Sequence, residues 1–180
     1  RNFRDELVPE EKIRQLLEAA RFAPTAANSQ GMYYLVIQDR DLIKKITDCV
    51  ADWMQEQIDN KSPQKRYFIK VLHVYRERGI DIIGRNARQL IFVLARRLNV
   101  TGPSNSEQSL AYAELYAPTL GLGTTIMGFI ETCLRADYAP LRELLQIPTK
   151  QVGVGCLLVG YPRYRYHKLV DRQHLKVEFR

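Results

Sequence analysis

Three short stretches of this chain gather residue types that can do chemistry. The first, APTAANSQG at 23–31, offers Thr25, Asn28, Ser29 and Gln30, which donate and accept hydrogen bonds without net charge. Such groups suit the edge of a heteroaromatic ring, and equally suit capping a helix and closing a turn. The second, APTLGLGTTIMGFI at 117–130, carries Gly121, Gly123 and Gly128. Bare backbone weakens a helix or strand, so its presence fits a place where something flat or charged lies against the chain, or else close packing at a helix–turn junction. The third, YPRYRYHKLVDR at 161–172, is aromatic and basic and ends in Arg172. It could stack bases and attract phosphates, but Tyr and Arg are also common interface anchors, and bracing a dimer is the favoured reading.

Several chemistries are excluded or disfavoured by spacing. The glycines miss the GxGxxG pattern, follow a helix-like stretch instead of a strand, and lack the lysine of a P-loop. His73, His167 and His174 have no obvious catalytic partners, and no compact ligand set for a metal is present. Cys49, Cys133 and Cys156 are odd in number and form no CxxC pair, which fits buried thiols in a reducing, cytoplasmic setting better than a disulfide framework. The longest apolar run, LIFVLA at 90–95, is far too short to span a membrane. The chain carries 27 basic and 20 acidic residues, a formal +7. That positive balance could draw in nucleic acid or a phosphorylated small molecule, but the basic residues are spread through helices that also carry acids, so a nucleic-acid role is disfavoured.

These stretches need elements to position them. At 180 residues with 46% apolar and 26% charged composition, the chain is expected to form one domain over 1–180 with a substantial core. VPEEKIRQLLEAARFAP predicts a helix with an apolar stripe at Ile13, Leu16, Leu17 and Ala20, and YYLVI at 33–37 a buried strand. Asp39 or Asp41 is expected to cap a second helix to about Gln57. Ser62-Pro63 should open a third, reaching about Arg78. QLIFVLA at 89–95 reads as a second strand, and a helix from Ser104 or Ser106 should be bent or interrupted by Pro118. A short helical region in 132–148 and a third strand at 152–162 follow. The tail alternates apolar and polar residues at 175–179 and should lie on the body or across a partner. Helices covering both faces of a central sheet satisfy this order. Because the chain starts at Arg1 instead of a methionine, a preceding segment is expected to have been removed or to be missing.

Three segments, RNFRDELVPEEKIRQLLEAARFAPTAANSQ, AYAELYAPTLGLGTTIMGF and LLVGYPRYRYHKLVDR, together resemble the start, middle and end of the flavin-dependent nitroreductase family. The resemblance implies an α+β fold, a three-layer α/β/α sandwich with a central mixed, mainly antiparallel sheet. It further implies a C-terminal tail that exchanges with the partner in an intertwined homodimer, with FMN bound at two sites in the subunit interface. By similarity, the backbone at 126–129 faces the isoalloxazine ring, with Ile126 where a tryptophan often stands. A main-chain amide of Met127-Gly128, Gly128 first, approaches flavin N5. Arg1 and Arg172 would grip the phosphate with Lys168 as a weaker helper, and Thr25, Ala26, Asn28 and Gln30 match the small polar segment, Asn28 being the best candidate for ribityl or ring oxygens. The implied activity passes hydride from NAD(P)H through the flavin to a nitroaromatic, quinone or similar small oxidant.

The chain also departs from the family pattern. Gly31 and Met32 replace a usual Pro-Trp, Arg88 stands where proline is frequent, and Pro118 replaces an alanine. These departures leave FMN binding expected and keep open a specialised dehydrogenase, dehalogenase or flavin-breakdown enzyme. A non-catalytic flavin- or nucleic-acid-binding protein on the same scaffold is the remaining alternative.

Overall fold

The computed structural model describes residues 2–165, 167 and 171–180. Its elements are α1 (Glu10–Ala20), β1 (Tyr33–Ile37), α2 (Arg40–Asp59), α3 (Lys65–Leu72), β2 (Leu90–Arg96), α4 (Gly102–Tyr116), β3 (Gly123–Ile126), α5 (Gly128–Arg135), α6 (Ala139–Leu144) and β4 (Gln151–Gly160). The four strands form one sheet in the order β1-β2-β4-β3, and each of the three ladders is antiparallel.

Helices cover both faces, giving an α/β/α sandwich. Alternation along β2 sends Leu90, Phe92 and Leu94 into a core shared with α2, α3, α5 and α6, while Ile91, Val93 and Ala95 face α1 and α4. β4 is buried on both faces as well, and it carries the one register shift of its ladder with β2, opposite Val93/Leu94. There the extra residue turns both Val154 and the bare Cα of Gly155 toward the α4 layer. A Cβ on Gly155 would press on Ser106 and Leu110 of α4, and one on Gly153 would collide with Leu134 of α5. The two glycines therefore let both helix layers sit close on the same strand. The inner face of α4 is correspondingly small and polar, with Asn105, Ser106 and Ser109 all buried.

The predicted stripe of α1 is buried at Ile13, Leu16 and Ala20, and Asp39 caps α2 by accepting the Leu42 N–H at 2.9 Å. Other expectations need correction. The third helical segment reaches the expected end near Arg78, with Gly79 at φ 64 beyond it, but only Lys65–Leu72 (α3) is α-helical and His73–Glu77 is wound as a π-helix. Ser62 does not cap it; its hydroxyl accepts the Gln64 N–H within the preceding turn. α4 stops at Tyr116, and Pro118 sits in a single 3-10 turn, Ala117–Leu120, so the proline ends the helix. The glycine-rich segment contains a fourth strand, β3, that was not expected. Thr124, Thr125 and Ile126 are good strand formers and pair with Val159, Leu158 and Leu157. The expected single helical region at 132–148 is two helices, beginning four residues earlier at Gly128. In the tail, Leu175, Val177 and Phe179 are exposed in the single chain, which is consistent with a tail that lies across a partner.

The α5–α6 corner is held by charge. Asp137, itself at φ 54, accepts from Arg97 at 2.8 Å and from Arg142 at 2.7 Å. Arg142 is only 14% exposed and also donates to Gln151 O and Pro148 O, tying the corner to the start of β4. The hydrogen bond from Arg97, with that from Arg142, holds the Asp137 carboxyl below the ordinary carboxylate range. A depressed folded-state value contributes stability above the unfolded value and loses it as pH falls through the folded one. Asp137→Asn should therefore cost about 1 kcal/mol near neutral pH, the low figure reflecting solvent screening of a partly exposed carboxylate. The gap between wild type and variant in denaturant melts should close as the pH is taken below 4; a constant gap across that range would disprove the charge-based account.

Candidate functional site

α5 begins where β3 ends, and this junction builds the principal cleft. The main-chain N–H of Met127 donates to Cys156 O at 2.9 Å, extending the β3–β4 ladder by one bond before the chain turns into the helix. Gly128 and Phe129 then occupy the first turn of α5, whose N–H groups have no intrahelical acceptors, and no side chain caps them. Of the Met127-Gly128 pair, the Met127 amide is thus engaged in the sheet, and the Gly128 amide is the one left in the uncapped first turn of α5. Met127 is buried, whereas Ile126 and Gly128 are exposed at the cleft.

Among the described residues nothing requires Gly128 to be bare. It does not adopt a positive φ, and a Cβ built on it would meet nothing within 4 Å. By contrast Gly153 and Gly155 are required by neighbouring side chains. The space over Gly128 opens into a cleft of about 390 Å³. Its far wall comes from the α3 region, with Gln64, Tyr67 and Phe68, and its rim from Ile82 and Arg85. Phe129 and Thr132 line the α5 side. Tyr67 stands 5.7 Å from Phe129 and 6.4 Å from Phe68, ring centre to ring centre, and Phe68 meets Trp53 edge-on at 5.6 Å. The cleft is therefore floored by open backbone and walled by rings, which suits a flat aromatic group.

The small polar segment is placed elsewhere. Residues Ala26–Asn28 form a 3-10 turn in which Ala27 and Asn28 have φ 51, followed by Gln30 at φ 45. Much of its hydrogen-bonding capacity is used internally: Thr25 Oγ1 accepts the Gln30 N–H, and Asn28 Oδ1 accepts from the Gln30 amide. The Ala26 N–H is taken by Asn105 Oδ1 of α4 at 3.0 Å, and the Asn105 amide reaches Ser29 Oγ. Thr25 and Gln30 line a small hollow of about 30 Å³ with Tyr34 and Ser109, whose hydroxyls bond each other at 2.5 Å. This hollow shares no lining residue with the main cleft. The fold thus groups Ile126, Met127 and Gly128 at one depression and Thr25 and Gln30 at another, and does not bring them together within one chain.

The basic candidates are only partly placed. Arg1 and Lys168 lie outside the described residues. Arg172 is exposed, lines neither depression, and shows a local bond from its N–H to Asp171 Oδ1. The N-terminal arm nevertheless meets the chain where it leaves β4. Arg4 N donates to Tyr161 O, Arg163 N donates to Asn2 O, and Phe3 bridges to Pro162. Gln89, fully buried, pins the incoming arm by bonding both the N–H and the C=O of Val8, at 2.7 and 3.0 Å. Of the departures, Arg88 pairs with Asp5 at 3.3 Å and Met32 lines the smaller hollow. The residues that sequence reasoning missed are Gln64, Tyr67 and Arg85 at the cleft and Asn105 beneath the polar loop. The turn-forming letters around Gly84 were the one available signal, since Asp, Gly and Asn mark a tight loop.

The thiols are unsuited to nucleophilic work. Burial pushes Cys49 up to about 11 and raises Cys133 and Cys156 further, so each stays protonated near neutrality. His73 pairs with Glu77 at 2.7 Å inside the π-type turn, away from the cleft lining. Among the described residues no group of three His, Cys, Asp or Glu side chains could hold a metal, and no helix is long and apolar enough to cross a membrane.

Comparison with known proteins agrees with this architecture. The chain is 26% identical over 168 residues to the FMN reductase (NAD(P)H) of Bacillus subtilis strain 168, which covers 93% of this chain and 64% of that relative. The chain spans less than two thirds of the curated relatives it matches. A nitroreductase with bound FMN from Bacteroides fragilis superposes with a TM-score of 0.73 at 17% identity, covering 98% of this chain and 91% of that one. A BluB-like flavoprotein from Clostridium difficile 630 gives 0.71 at 17% identity over 95% and 89% of the two chains. These likenesses establish the shared fold. The family follows from the sequence itself, where the model of the nitroreductase family matches residues 1–161: the chain belongs to the nitroreductase family.

Proposed function

We propose that this protein is an FMN-dependent oxidoreductase that takes hydride from NAD(P)H and delivers it to a small nitroaromatic, quinone or similar acceptor. The observation that carries this reading is the open space above Gly128 in the cleft, where no described neighbour accounts for the missing side chain and a flat group can approach the backbone. Bound there, FMN would supply the two-electron chemistry, accepting hydride from the nicotinamide and passing it on. The chain's own part is placement. The Met127 bond to Cys156 fixes the start of α5, and the Gly128 and Phe129 N–H groups present donors at the positive end of the helix. Tyr67 and Phe129 offer ring faces against which a planar acceptor can pack. Arg172, with Arg1, would grip the phosphate through guanidinium forks, Lys168 helping, and Asn28 would serve the ribityl or ring oxygens.

The same reading takes the working unit to be a homodimer. The Thr25–Gln30 loop and the Gly128 cleft lie apart in one chain, so a cofactor touching both would be shared between two copies. α4 also presents Tyr112, Leu115 and Tyr116 to solvent, with Leu115 79% exposed, on a helix already buried on its other side. A second copy would cover that face.

Three outcomes are expected. The purified protein, supplied with FMN, should be yellow, bleach under anaerobic titration with NADH or NADPH, and recover colour on adding a quinone or nitroarene; a bound flavin that neither nicotinamide reduces would refute the reductase reading. Gly128→Val should weaken FMN binding by roughly 1–3 kcal/mol through overpacking, while the melting temperature of the apoprotein stays close to wild type because the new Cβ meets no protein atom. Equal affinity in fluorescence titrations would show that nothing lies over Gly128. Light scattering should return twice the chain mass, and Leu115→Asp should shift it toward one chain; a monomer that still binds and turns over FMN would rule out the shared site.

A further inference from the structure

The rim of the cleft carries a charge that the reading above does not use. Among the described residues Arg85 is the single charged one lining the cleft, and no ion pair or hydrogen bond of its guanidinium to another described residue is present. Its neighbour Arg88, three residues on, is by contrast paired with Asp5. An arginine without a carboxylate partner keeps its planar fork of donors free for a ligand anion.

The position is also built, and not merely exposed. Asp81 holds the loop from inside: its two carboxylate oxygens accept the N–H groups of Gly84 at 2.6 Å and Asn86 at 2.9 Å. Gly84 is pressed against the Thr47 hydroxyl of α2, where any Cβ would collide. Thr47 is itself buried and bonded to Ile43 O. Between these anchors Arg85 and Asn86 adopt φ 55 and 50, the left-handed region that side chains other than glycine rarely enter. The backbone at Arg85 is thereby set in one conformation, on the same cleft that Tyr67 and Phe129 line. The neutral amide of Gln64 and the hydroxyl of Thr132, which is spent on Gly128 O at 2.7 Å, add no opposing charge.

We propose that Arg85 is a specificity-determining residue that selects planar aromatic acceptors bearing a carboxylate, pairing the anionic group at the rim while the ring lies on Tyr67 and Phe129. This rests on the oxidoreductase reading for the identity of the ligand as an electron acceptor, but the binding preference itself requires no turnover. The test compares 4-nitrobenzoate with its neutral isostere 4-nitrobenzamide, using the full chain as purified with FMN. By calorimetry, wild type should bind the benzoate about tenfold more tightly than the amide, the gain of a partly exposed charge-assisted pair. Arg85→Gln should bring the two to near parity, and Arg85→Lys should keep part of the preference.

In steady-state assays the ratio of kcat/KM for benzoate over amide should fall about tenfold in Arg85→Gln, chiefly through the KM of the benzoate. Equal binding of both ligands by wild type overturns the proposal, as does a ratio unchanged by Arg85→Gln. A defect confined to flavin reduction by NADPH, with benzoate binding intact, also overturns it and assigns the arginine to the coenzyme phosphate. If the benzoate preference appears without any reduction of the flavin, the selection stands and the reductase reading fails. If the flavin turns over with no carboxylate preference, the reverse holds.

Discussion

The structure depends on one junction, the exit from β3 into α5. β3 is only four residues long and sits at the edge of the sheet, so its position rests on its ladder with β4 and on the added Met127 N–H to Cys156 O bond. β4 can accept this load because it is buried on both faces and approached closely by helices on each side. Gly153 makes room for Leu134 of α5, and Gly155 makes room for α4. Below the reach of β3, the open edge of β4 is satisfied by side chains. Arg135 Nε donates to Val154 O at 3.0 Å, and Glu131 takes a backbone bond from Cys156. Burial raises the Glu131 carboxyl, opposed by Arg135 at 2.9 Å and by that Cys156 bond. The first two turns of α5 are therefore clamped to the sheet at Met127, Glu131 and Arg135, and Gly128 is held at the cleft floor with little freedom.

A second constraint joins the ends of the chain to the same strands. Phe3 lies against Gly123 of β3 and Gly160 of β4, which face each other in register; a Cβ on Gly160 would crowd the ring, and one on Gly123 would just touch it. Gln89 closes both hydrogen bonds of Val8 in a site with no water access, and leaving those groups unpaired there would be costly. The result brings the arm at 2–4 beside the chain at 161–163, where it leaves β4. Two basic segments far apart in sequence are thus neighbours at the edge of the sheet that carries the α5 junction.

Periodicity made the outer helices and the central strands legible. The stripe of α1, the Asp39 cap of α2 and the apolar run of β2 depend on local pattern, and each formed close to its predicted bounds. β3 was hidden because Gly121 and Gly123 read as a break, while the ladder that makes it a strand comes from residues more than thirty positions later. The extent of the third helical segment was legible, but not its change of winding: the pattern runs unbroken past Leu72, where the backbone widens into a π-helix. Gly128 lies ahead of the expected helical region, yet with an ordinary φ it serves as the first residue of α5. At the site, the family-like segments could be found as strings, but Gln64, Tyr67 and Arg85 come from an α3 region and a loop whose meeting with α5 no local signal announces.

The polar loop shows why motif and function separate. Thr25, Asn28 and Gln30 have the residue types that recognise a ring edge, yet inside one chain they mostly bond one another, and Asn105 from α4 anchors the turn. That knot holds Ala27, Asn28 and Gln30 in left-handed backbone, a conformation maintained only where surrounding contacts over-determine it. A loop fixed this firmly on an exposed surface, beside a helix with unpartnered Tyr112, Leu115 and Tyr116, is shaped before any ligand arrives. The floor at Gly128 is fixed equally firmly by the β3–α5 junction. A ligand held between two such rigid surfaces would lose little to reorganisation on binding, so the contacts it makes would appear largely undiminished in affinity. In such an arrangement preorganisation on both sides, and not the count of polar groups in either segment, would be what the fold contributes to recognition.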